Sequence, residues 1–287
     1  MIYSLTLNPA LDHIVRLSDL ELGETNRMKE ETIRQINREA VSVCMASYNG
    51  AFYIKQQIES ILPQLGQEDE LIIVDDCSVD NTIEIISSIP DNRIQLHRNI
   101  SNKGVVKTFE EAVRLAKNEF VFLADQDDIW TENRVDRMLQ VIKNFPFMLV
   151  TGNFISIDEQ GKRLDIVPAS IRARDSGAYA WNIYNIFRGK SAYYGCAMAF
   201  KRELKEIILP FPEYMESHDA WIAMAANLLK SNIHLEYIVL KHRLHNNNVT
   251  KSHRSLGKKL YSRILFARAM GELMIRIIKY RIKQGDE

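Results

Sequence analysis

The most concentrated acidic group in the sequence follows a short apolar segment. Residues 120–124 are apolar, and Asp125, Asp127 and Asp128 come directly after them, with Gln126 in between. Carboxylates crowded at the end of a strand repel one another, and a hard divalent cation relieves this repulsion because it takes oxygen ligands and also bridges phosphates. The segment therefore predicts a Mg²⁺ or Mn²⁺ site that holds a diphosphate. The alternative is a solvated acidic loop that caps the next helix.

A second acidic pair, Asp75 and Asp76, ends another apolar run, residues 71–74. Carboxylate oxygens readily accept hydrogen bonds from sugar hydroxyls and from the imide N–H of uracil or thymine. We therefore expect the pair to contact the base or the ribose of a nucleotide. Aspartate also favours turns, so the alternative is that the pair only shapes the turn before Cys77 and Ser78.

Short apolar runs and amphipathic segments alternate through the first half of the chain. The runs at residues 41–45, 71–74, 94–97 and 120–123 predict strands, and apolar residues at helical spacing between them predict helices. This alternation predicts βαβ units and a doubly wound, mostly parallel α/β sheet. Ligands of such sheets bind at the carboxyl ends of the strands, which is where both acidic groups lie.

The pattern becomes less regular after Asn144. It predicts short strands, a turn at residues 158–161, and an irregular polar and aromatic stretch up to Tyr194. Two late strands, near residues 195–200 and 234–244, flank a helix predicted from Asp219 to Lys230. A long helix is predicted from Ser255 to Lys283.

Composition excludes several classes of protein. The 287 residues fit one α/β domain with additions, and equal numbers of basic and acidic residues, 37 each, argue against a nucleic-acid-binding protein. Three cysteines without CxxC spacing indicate neither a disulfide framework nor a zinc site. The sequence shows no apolar run long enough to span a membrane and no signal-peptide pattern at its start, so we expect a cytoplasmic protein.

Charge is distributed unevenly along the chain. From Lys251 onward there are ten basic and three acidic residues, so the remainder carries seven more acidic than basic residues. Basic residues interleaved with apolar ones predict a helix that adheres weakly to the anionic inner face of a membrane. The alternative is a helix that packs on its own domain and keeps a solvated basic face.

The first 31 residues resemble the amino terminus of the 1-phosphofructokinase group of sugar kinases. They share an initial strand, the segment NPALD and the stretch ETNR. The GGKG segment and the GAGD motif of those kinases do not occur in the chain. The resemblance covers about a tenth of the chain and implies no kinase chemistry, so residues 1–40 are interpreted as a fused N-terminal extension.

Motifs spread over residues 41–250 resemble those of family 2 glycosyltransferases with the GT-A fold. In chain order they are VSVCMASYNG, IIVDDCSVDNT, the NKG loop, LADQDDIW, GCAMAF, SHDAW and RLHNNNVT. Their order and spacing are also similar to the rhamnosyltransferase branch that assembles bacterial surface polysaccharide. The resemblance implies a metal-dependent, inverting enzyme that moves a sugar, with L-rhamnose as one candidate, from a dTDP- or UDP-sugar to a hydroxyl of a glycan or lipid-linked acceptor.

The resemblance also implies how the chain is divided. Residues 41–150 are the nucleotide-sugar-binding half, residues 151–254 the acceptor-binding and catalytic half, and residues 255–287 a basic amphipathic helix. The residues expected to contact the donor are Ala46, Ser47, Tyr48, Asn49, Asp75, Asp76 and Asp125. Lys103 is expected to meet a phosphate as a point charge, or else to be an exposed loop residue.

Other positions match catalytic and acceptor-side roles. Asp127 matches a metal ligand, and His245 lies in a late loop that supplies a further ligand in some relatives; the alternative for His245 is an exposed polar loop. Asp219 matches the general base, although many relatives have glutamate where this chain has His218, which leaves the role of His218 open. The residues expected at the acceptor are Gly195, Cys196 and Trp221.

Two other functions fit parts of this pattern. A nucleotidyltransferase also places acidic residues at strand ends, but it usually carries a glycine-rich loop with Lys or Arg after its first strand, and ASYNGAFY lacks that composition. A catalytically inactive glycan-binding protein would share the fold, but the intact DQDD segment and Asp219 argue against it. We therefore expect a glycosyltransferase that uses Mn²⁺ or Mg²⁺ and has no nucleic acid partner.

Overall fold

The alternating pattern of the sequence folds into alternating strands and helices. The computed structural model describes residues 38–166, 168–245 and 256–285, without the side chains of residues 256 and 258–260. Their strands are β1 (Val41–Ser47), β2 (Glu70–Asp75), β3 (Ile94–Arg98), β4 (Phe120–Asp125), β5 (Ile129–Trp130), β6 (Leu149–Ile157), β7 (Met198–Lys201) and β8 (Asn232–Arg243). Their α-helices are α1 (Ile54–Ile61), α2 (Thr82–Ser87), α3 (Val105–Leu115), α4 (Arg134–Asn144), α5 (Tyr179–Arg188), α6 (Lys205–Ile208), α7 (His218–Leu228) and α8 (Leu256–Gln284).

These strands form one sheet in the order β3-β2-β1-β4-β7-β6-β8-β5. β1 pairs in parallel with β2 and β4, and β2 pairs in parallel with β3, whereas β7 joins β4 in antiparallel orientation. The predicted doubly wound, mostly parallel sheet is therefore confirmed. Because β2 and β4 lie on opposite sides of β1, the carboxyl ends of β1 and β4 bound the crevice in which ligands of such sheets bind.

Helices cover both faces of the parallel half of the sheet, which explains its uninterrupted apolar runs. Ile72 and Leu123 belong to the buried cluster that includes α3 and α7. Val43 and Phe122 point to the other face and belong to the cluster that includes α1 and α4. All four side chains are fully buried. Burying a side chain of this size contributes about 1.5–3 kcal/mol, so this packing holds the strand ends in fixed positions.

Strand β8 reaches the acidic segment through β5. β5 directly follows Asp128 and pairs in antiparallel orientation with β8, where Ile129 is opposite Lys241 and Trp130 is opposite Leu240. β8 also runs parallel to β6 along most of its length. The end of β8 is therefore brought to the acidic segment at residues 125–128.

The later half of the chain differs from the prediction in three places. Residues 179–188, within the predicted irregular stretch, form α5, because Ile186 is buried and Gly189 adopts the left-handed conformation (φ 66°) that ends a helix. Strand β7 starts only at Met198, since Gly195–Ala197 form a 3₁₀ turn. β6 is one nine-residue strand where several short strands were expected.

Helix α8 confirms the predicted carboxyl-terminal helix. Ala269, Leu273 and Ile277, spaced four residues apart, are buried against α6 and α7. None of the helices described here combines the length and the apolar composition needed to cross a membrane. The kinase-like segment at residues 1–31 lies outside the described residues, and the division into donor and acceptor halves stays a prediction.

Gly152 allows β6 to pack closely against β8. A Cβ atom at this position would lie 2.5 Å from Cγ1 of Val239, which is fully buried. We therefore expect Gly152→Ala to lower the free energy of unfolding by about 1–3 kcal/mol, the usual cost of overpacking a core. Urea denaturation followed by circular dichroism measures the change.

Val239→Ala is the matched control, because it removes the two methyl groups that the new Cβ atom would meet. We expect the double variant Gly152→Ala/Val239→Ala to be less destabilised than the two single changes added together. Strictly additive losses would show that Val239 does not limit the side chain at position 152.

Candidate active site

Three carboxylates meet at the carboxyl end of β4. Asp125 is the last residue of β4, and Asp125, Asp127 and Asp128 each offer an oxygen within 4.8 Å of the others. Burial, followed by the charges of Asp128 and Asp127, raises the pKa of Asp125 well above its usual value. Burial and the charge of Asp128 also raise the pKa of Asp127. The protein surroundings therefore compensate the negative charge of the cluster only in part.

Asp128 is anchored from β8. It is 1% exposed, and its Oδ1 atom accepts hydrogen bonds from Nδ1 of His242 (2.9 Å) and from the backbone N–H of Arg243 (3.1 Å). Burial alone would lower the pKa of His242, but the bond to Asp128 and the charges of the aspartates raise it to about 9. His242 is therefore positively charged near neutral pH. The Oδ2 atom of Asp128 is buried and makes no hydrogen bond among the described residues.

Arg243 holds the acidic segment against its neighbours. Its side chain is buried, and its Nε atom donates to the backbone oxygen of Asp127 (2.9 Å). The guanidinium also donates to the backbone oxygens of Asp158 (3.1 Å) and Glu159 (2.8 Å) and to Oε1 of Gln56 (2.6 Å). A buried guanidinium needs several such acceptors, and here they come from three separate segments. Arg243 therefore fixes the backbone that orients Asp127.

The structure brings together the predicted pair Asp127 and His245. The Nε2 atom of His245 lies 2.8 Å from Oδ2 of Asp127, and its ring stacks on Tyr53 with the centroids 4.9 Å apart. The guanidinium of Arg243 lies over the same tyrosine ring, 4.9 Å from its centroid. The His245 side chain is only 8% exposed, so it does not sit in the exposed loop that was the alternative.

This group of residues fits a divalent cation. Carboxylate oxygens suit Mg²⁺ and Mn²⁺, and an imidazole nitrogen is a further transition-metal ligand. Burial and mutual repulsion raise the pKa values of Asp125 and Asp127, and a dication beside them would favour the charged carboxylates. The buried Oδ2 atom of Asp128 adds an acceptor that no described residue satisfies.

The loop after β1 lies against the same sheet edge. Ala46 is opposite Asp125 in the register of β1 and β4. The side-chain amide of Gln126 makes two hydrogen bonds with the backbone of Tyr48. Its Oε1 accepts from the N–H of Tyr48 (2.9 Å), and its Nε2 donates to the Tyr48 carbonyl (3.0 Å). Asn49 adopts a left-handed conformation (φ 47°), which turns the chain away from the strand. The Tyr48 side chain is 46% exposed and is available to a ligand.

The carboxylates of Asp75 and Asp76 accept hydrogen bonds from residues of neighbouring loops and strand ends. Asp75 is fully buried and accepts from the hydroxyls of Ser47 (2.9 Å) and Ser78 (2.5 Å). Asp76 is 3% exposed and accepts from the backbone N–H of Lys103 (2.8 Å). These bonds position the loops around the crevice. Direct contact of either carboxylate with a nucleotide stays a prediction, as does a phosphate contact of the exposed Lys103 side chain.

Asp219 lies in the first turn of α7, which Ser217 caps. Its Oδ1 atom accepts hydrogen bonds from the Ala220 N–H (2.8 Å) and from the Ser217 hydroxyl, while Oδ2 makes none among the described residues. After burial and the nearer aspartates, the charge of Asp219 also contributes to the raised pKa of Asp125. The predicted base and the predicted cation site therefore lie within electrostatic range of each other.

The three residues expected at the acceptor are buried. Trp221 is 0% exposed, and its indole N–H donates to the carbonyl of Ile208 (2.9 Å) in the core. Gly195 and Cys196 are buried in the 3₁₀ turn before β7. The Trp221 side chain therefore has no exposed surface for direct contact with an acceptor. Close approach of an acceptor to the backbone of Gly195 and Cys196 stays a prediction.

Gly195 makes room for His218. A Cβ atom on Gly195 would lie 2.5 Å from Nε2 of His218 and 3.5 Å from Cβ of Asp219. The His218 ring stacks on Phe109 with the centroids 4.1 Å apart, and burial lowers its pKa. His218 is therefore a buried side chain that packs beside Asp219 at the start of α7, and its role in the proposed reaction stays open.

Sequence reasoning does not identify Gln126, His242 or Arg243 as site residues. The partners of His242 and Arg243 in the acidic segment lie 114 to 116 positions earlier in the chain, so no local spacing reveals them. The available signal is the placement of His242 and Arg243 just after the apolar residues 237–240, near the end of β8. Charges in such a position need buried partners of opposite sign.

Comparison with known proteins identifies a protein family whose sequences this chain matches. The sequence profile of glycosyl transferase family 2 matches residues 42–207. Glycosyltransferase GlyG of Streptococcus pneumoniae is 32% identical over 42% of this chain and 41% of its own. TuaG of Bacillus subtilis, named as a putative teichuronic acid biosynthesis glycosyltransferase, is 25% identical over 77% of this chain and 85% of its own. The chain spans only about half the length of several curated relatives.

Solved structures share the fold. TarS residues 1–349 of S. aureus in complex with UDP-GlcNAc have a TM-score of 0.60 at 17% identity, covering 85% of this chain and 74% of that one. Mannosyltransferase PcManGT of Pyrobaculum calidifontis in complex with GDP-Man and Mn²⁺ has a TM-score of 0.55 at 17% identity. The match covers 85% of this chain and 76% of that one. The predicted GT-A fold agrees with both. Because the family profile covers more than half of the sequence, the chain belongs to glycosyl transferase family 2.

Proposed function

We propose that the chain is an inverting glycosyltransferase that moves a sugar from a nucleoside diphosphate sugar to an acceptor hydroxyl. The observation that carries this proposal is the 2.8 Å approach of His245 to Asp127 beside Asp125, with Asp219 within electrostatic range. Such a transfer needs a cation-binding group for the diphosphate and a separate carboxylate for the acceptor proton. Membership of glycosyl transferase family 2 supports the same activity.

In this proposal Asp127 and His245, with Asp125 beside them, would hold Mn²⁺ or Mg²⁺. The ion supplies the positive charge that stabilises the departing diphosphate. The chain's own residues orient the donor. The segment Ala46–Asn49, held by Gln126, covers one side of the nucleotide. The loop that contains Lys103, held by Asp76, lies on the other side of the nucleotide.

Asp219 is the general base of the proposal. Its Oδ1 atom is engaged by the capping bonds of α7, whereas Oδ2 is left for the acceptor hydroxyl. As Asp219 takes the proton, the hydroxyl oxygen attacks the anomeric carbon from the face opposite the diphosphate. One such displacement inverts the configuration at that carbon.

The names of relatives support the proposed classes of donor and acceptor. The solved TarS structure contains UDP-GlcNAc, and WfgD of Escherichia coli, 32% identical over 40% of this chain, is named as a UDP-Glc:alpha-D-GlcNAc-diphosphoundecaprenol beta-1,3-glucosyltransferase. The proposed donor is a UDP- or dTDP-sugar, and the proposed acceptor is a glycan or lipid-linked glycan of cell-surface polysaccharide synthesis. L-Rhamnose is one candidate sugar, supported by motif resemblance. Peripheral contact with the cytoplasmic face of a membrane would bring the enzyme to such an acceptor.

A panel of nucleotide sugars with Mn²⁺ or Mg²⁺ tests the activity through the release of nucleoside diphosphate. Release from one donor that needs a divalent ion and rises with acceptor supports the proposal. Release of pyrophosphate would instead indicate a nucleotidyltransferase. Donor binding without release under any condition would indicate a catalytically inactive glycan-binding protein.

Asp127→Asn tests the cation site. The substitution keeps the shape of the side chain but removes its charge, so we expect Mn²⁺ binding to weaken and transfer to fall at least about a hundredfold. Mn²⁺ binding measured by calorimetry and nucleoside diphosphate release on the same preparation check this outcome.

Asp165→Asn is the matched control, since Asp165 is an exposed carboxylate outside the acidic cluster. We expect it to behave as the wild type in both measurements. Normal turnover of Asp127→Asn without added divalent ion would contradict the cation assignment.

Asp219→Asn separates a base from a donor-binding residue. Asparagine keeps the size of the side chain and caps a helix almost as well as aspartate, but it cannot accept the acceptor proton. We expect donor affinity to change little and turnover to fall by about 10² to 10⁴. Calorimetric donor binding and the transfer rate are measured together.

Glu203→Gln, at an exposed position, controls for the loss of one carboxylate charge. Wild-type turnover in Asp219→Asn would remove Asp219 as the base. Weakened donor binding would instead place Asp219 among the donor contacts.

A further inference from the structure

Helix α8 carries apolar residues on two opposite sides. Its buried side consists of Ala269, Leu273 and Ile277. The other side carries four exposed isoleucines: Ile264 (61%), Ile275 (58%), Ile278 (56%) and Ile282 (72%). Positions two residues apart in an α-helix are turned by about 200°, so Ile275 points away from the core that Leu273 enters. We call these four isoleucines the outward face of α8.

The outward face runs in line along the helix. Its members are eleven, three and four residues apart, which correspond to nearly whole helical turns, so they cover about 27 Å of the helix surface. Met274 (54% exposed) and Tyr261 (57% exposed) extend it. Exposed apolar surfaces of this kind, bordered by polar residues, mark sites of contact with other molecules or with membranes.

Basic side chains border the outward face. Lys279 follows Ile278 and Arg281 precedes Ile282, which places the two cations on opposite flanks, and both are exposed. The side chains described for α8 include six basic residues and one acidic residue, Glu272. The surface is therefore both apolar and positively charged.

Aromatic residues of α5 lie next to the first half of α8. Phe187 of α5 contacts Phe266 of α8 with ring centroids 5.3 Å apart. Trp181 and Tyr184, about two turns and one turn before Phe187, are 54% and 45% exposed and contact each other. Because Phe266 packs on the core, these aromatic residues are not counted as part of the outward face.

The charge of the whole chain supports one orientation at an anionic surface. Residues 251–287 carry seven more basic than acidic residues, and the remainder carries seven more acidic than basic ones. An anionic surface therefore attracts the part of the chain that contains α8 and repels the rest.

We propose that the outward face of α8 binds an anionic lipid bilayer, with the helix lying in the plane of the surface and its isoleucines entering the acyl boundary. Lys279 and Arg281 would then meet the lipid phosphates on either side. A second copy of this chain is a poorer occupant, because two outward faces in contact would bring basic borders together. The proposal does not depend on the transferase activity.

Co-sedimentation of the full chain with sucrose-loaded vesicles tests it, without donor or acceptor. Vesicles of phosphatidylcholine alone are compared with vesicles that contain about one third phosphatidylglycerol. We expect at least about tenfold stronger partitioning into the anionic vesicles. This preference should disappear when added salt shortens the Debye length from about 30 Å to about 3 Å.

Two double variants separate the apolar from the electrostatic contribution. Ile275→Glu/Ile278→Glu should weaken partitioning more than about tenfold. Lys279→Gln/Arg281→Gln should weaken partitioning into anionic vesicles by about fivefold for each basic residue removed. These side chains are exposed, so folding should be unaffected, which the urea unfolding curve checks. Phe145→Glu/Ile166→Glu changes charge equally at two other exposed apolar positions and should partition as the wild type does.

Equal partitioning into neutral and anionic vesicles would overturn the proposal, and so would equal losses in the α8 and control variants. Analytical ultracentrifugation tests the alternative that a second copy of the chain binds the outward face. If wild-type protein ignores vesicles but forms a dimer that Ile275→Glu/Ile278→Glu dissociates, the outward face binds a second copy and the lipid proposal is wrong.

Discussion

Repulsion among the carboxylates at the end of β4 is the constraint around which the candidate site is organised. Asp125, Asp127 and Asp128 are held within 4.8 Å of one another at a place with little solvent, which is unfavourable unless positive charge lies nearby. Strand β8 supplies that charge through His242 and Arg243. The compensation is partial, since the pKa values of Asp125 and Asp127 remain raised. Under the proposed function, a cation bound here would neutralise the remaining negative charge, at a place where the carboxylates are already held together.

The same strand couples distant parts of the chain. β8 pairs with β5, anchors Asp128 and ends two residues before His245, so any displacement of β8 would move both members of the Asp127–His245 pair. The proposed base is supported differently. Asp219 begins α7, whose Trp221 is buried in the core, and the buried side of α8 packs against α7. The core therefore fixes the base, while the outward face of α8 has no part in that packing.

Sequence patterns predicted the parallel half of the sheet well, because strands that are buried on both faces consist of almost uninterrupted apolar residues. An apolar run such as residues 71–74 has few alternatives to a covered parallel strand. The later half was harder, because its elements depend on partners. Helix α5 contains aromatic and polar residues with modest helix propensity, and the contact of Asn182 with Asn227 (3.1 Å) becomes visible only when α7 is in place. The SHDAW motif predicts that Trp221 contacts the acceptor, but the Trp221 side chain is buried in the core.

By itself, the sequence determined the fold class, the position of both acidic groups at strand ends and the presence of a long basic helix at the carboxyl terminus. These features follow from local periodicity and from the rule that parallel strands end at one edge of a sheet. Only the tertiary structure decided which carboxylates face one another, that Arg243 holds the backbone of Asp127, and that Gly195 leaves space for His218. It also decided that Gln126 holds the backbone of Tyr48. The physical reason is distance along the chain. Contacts between residues more than 100 positions apart depend on strand order and register, which no local pattern encodes.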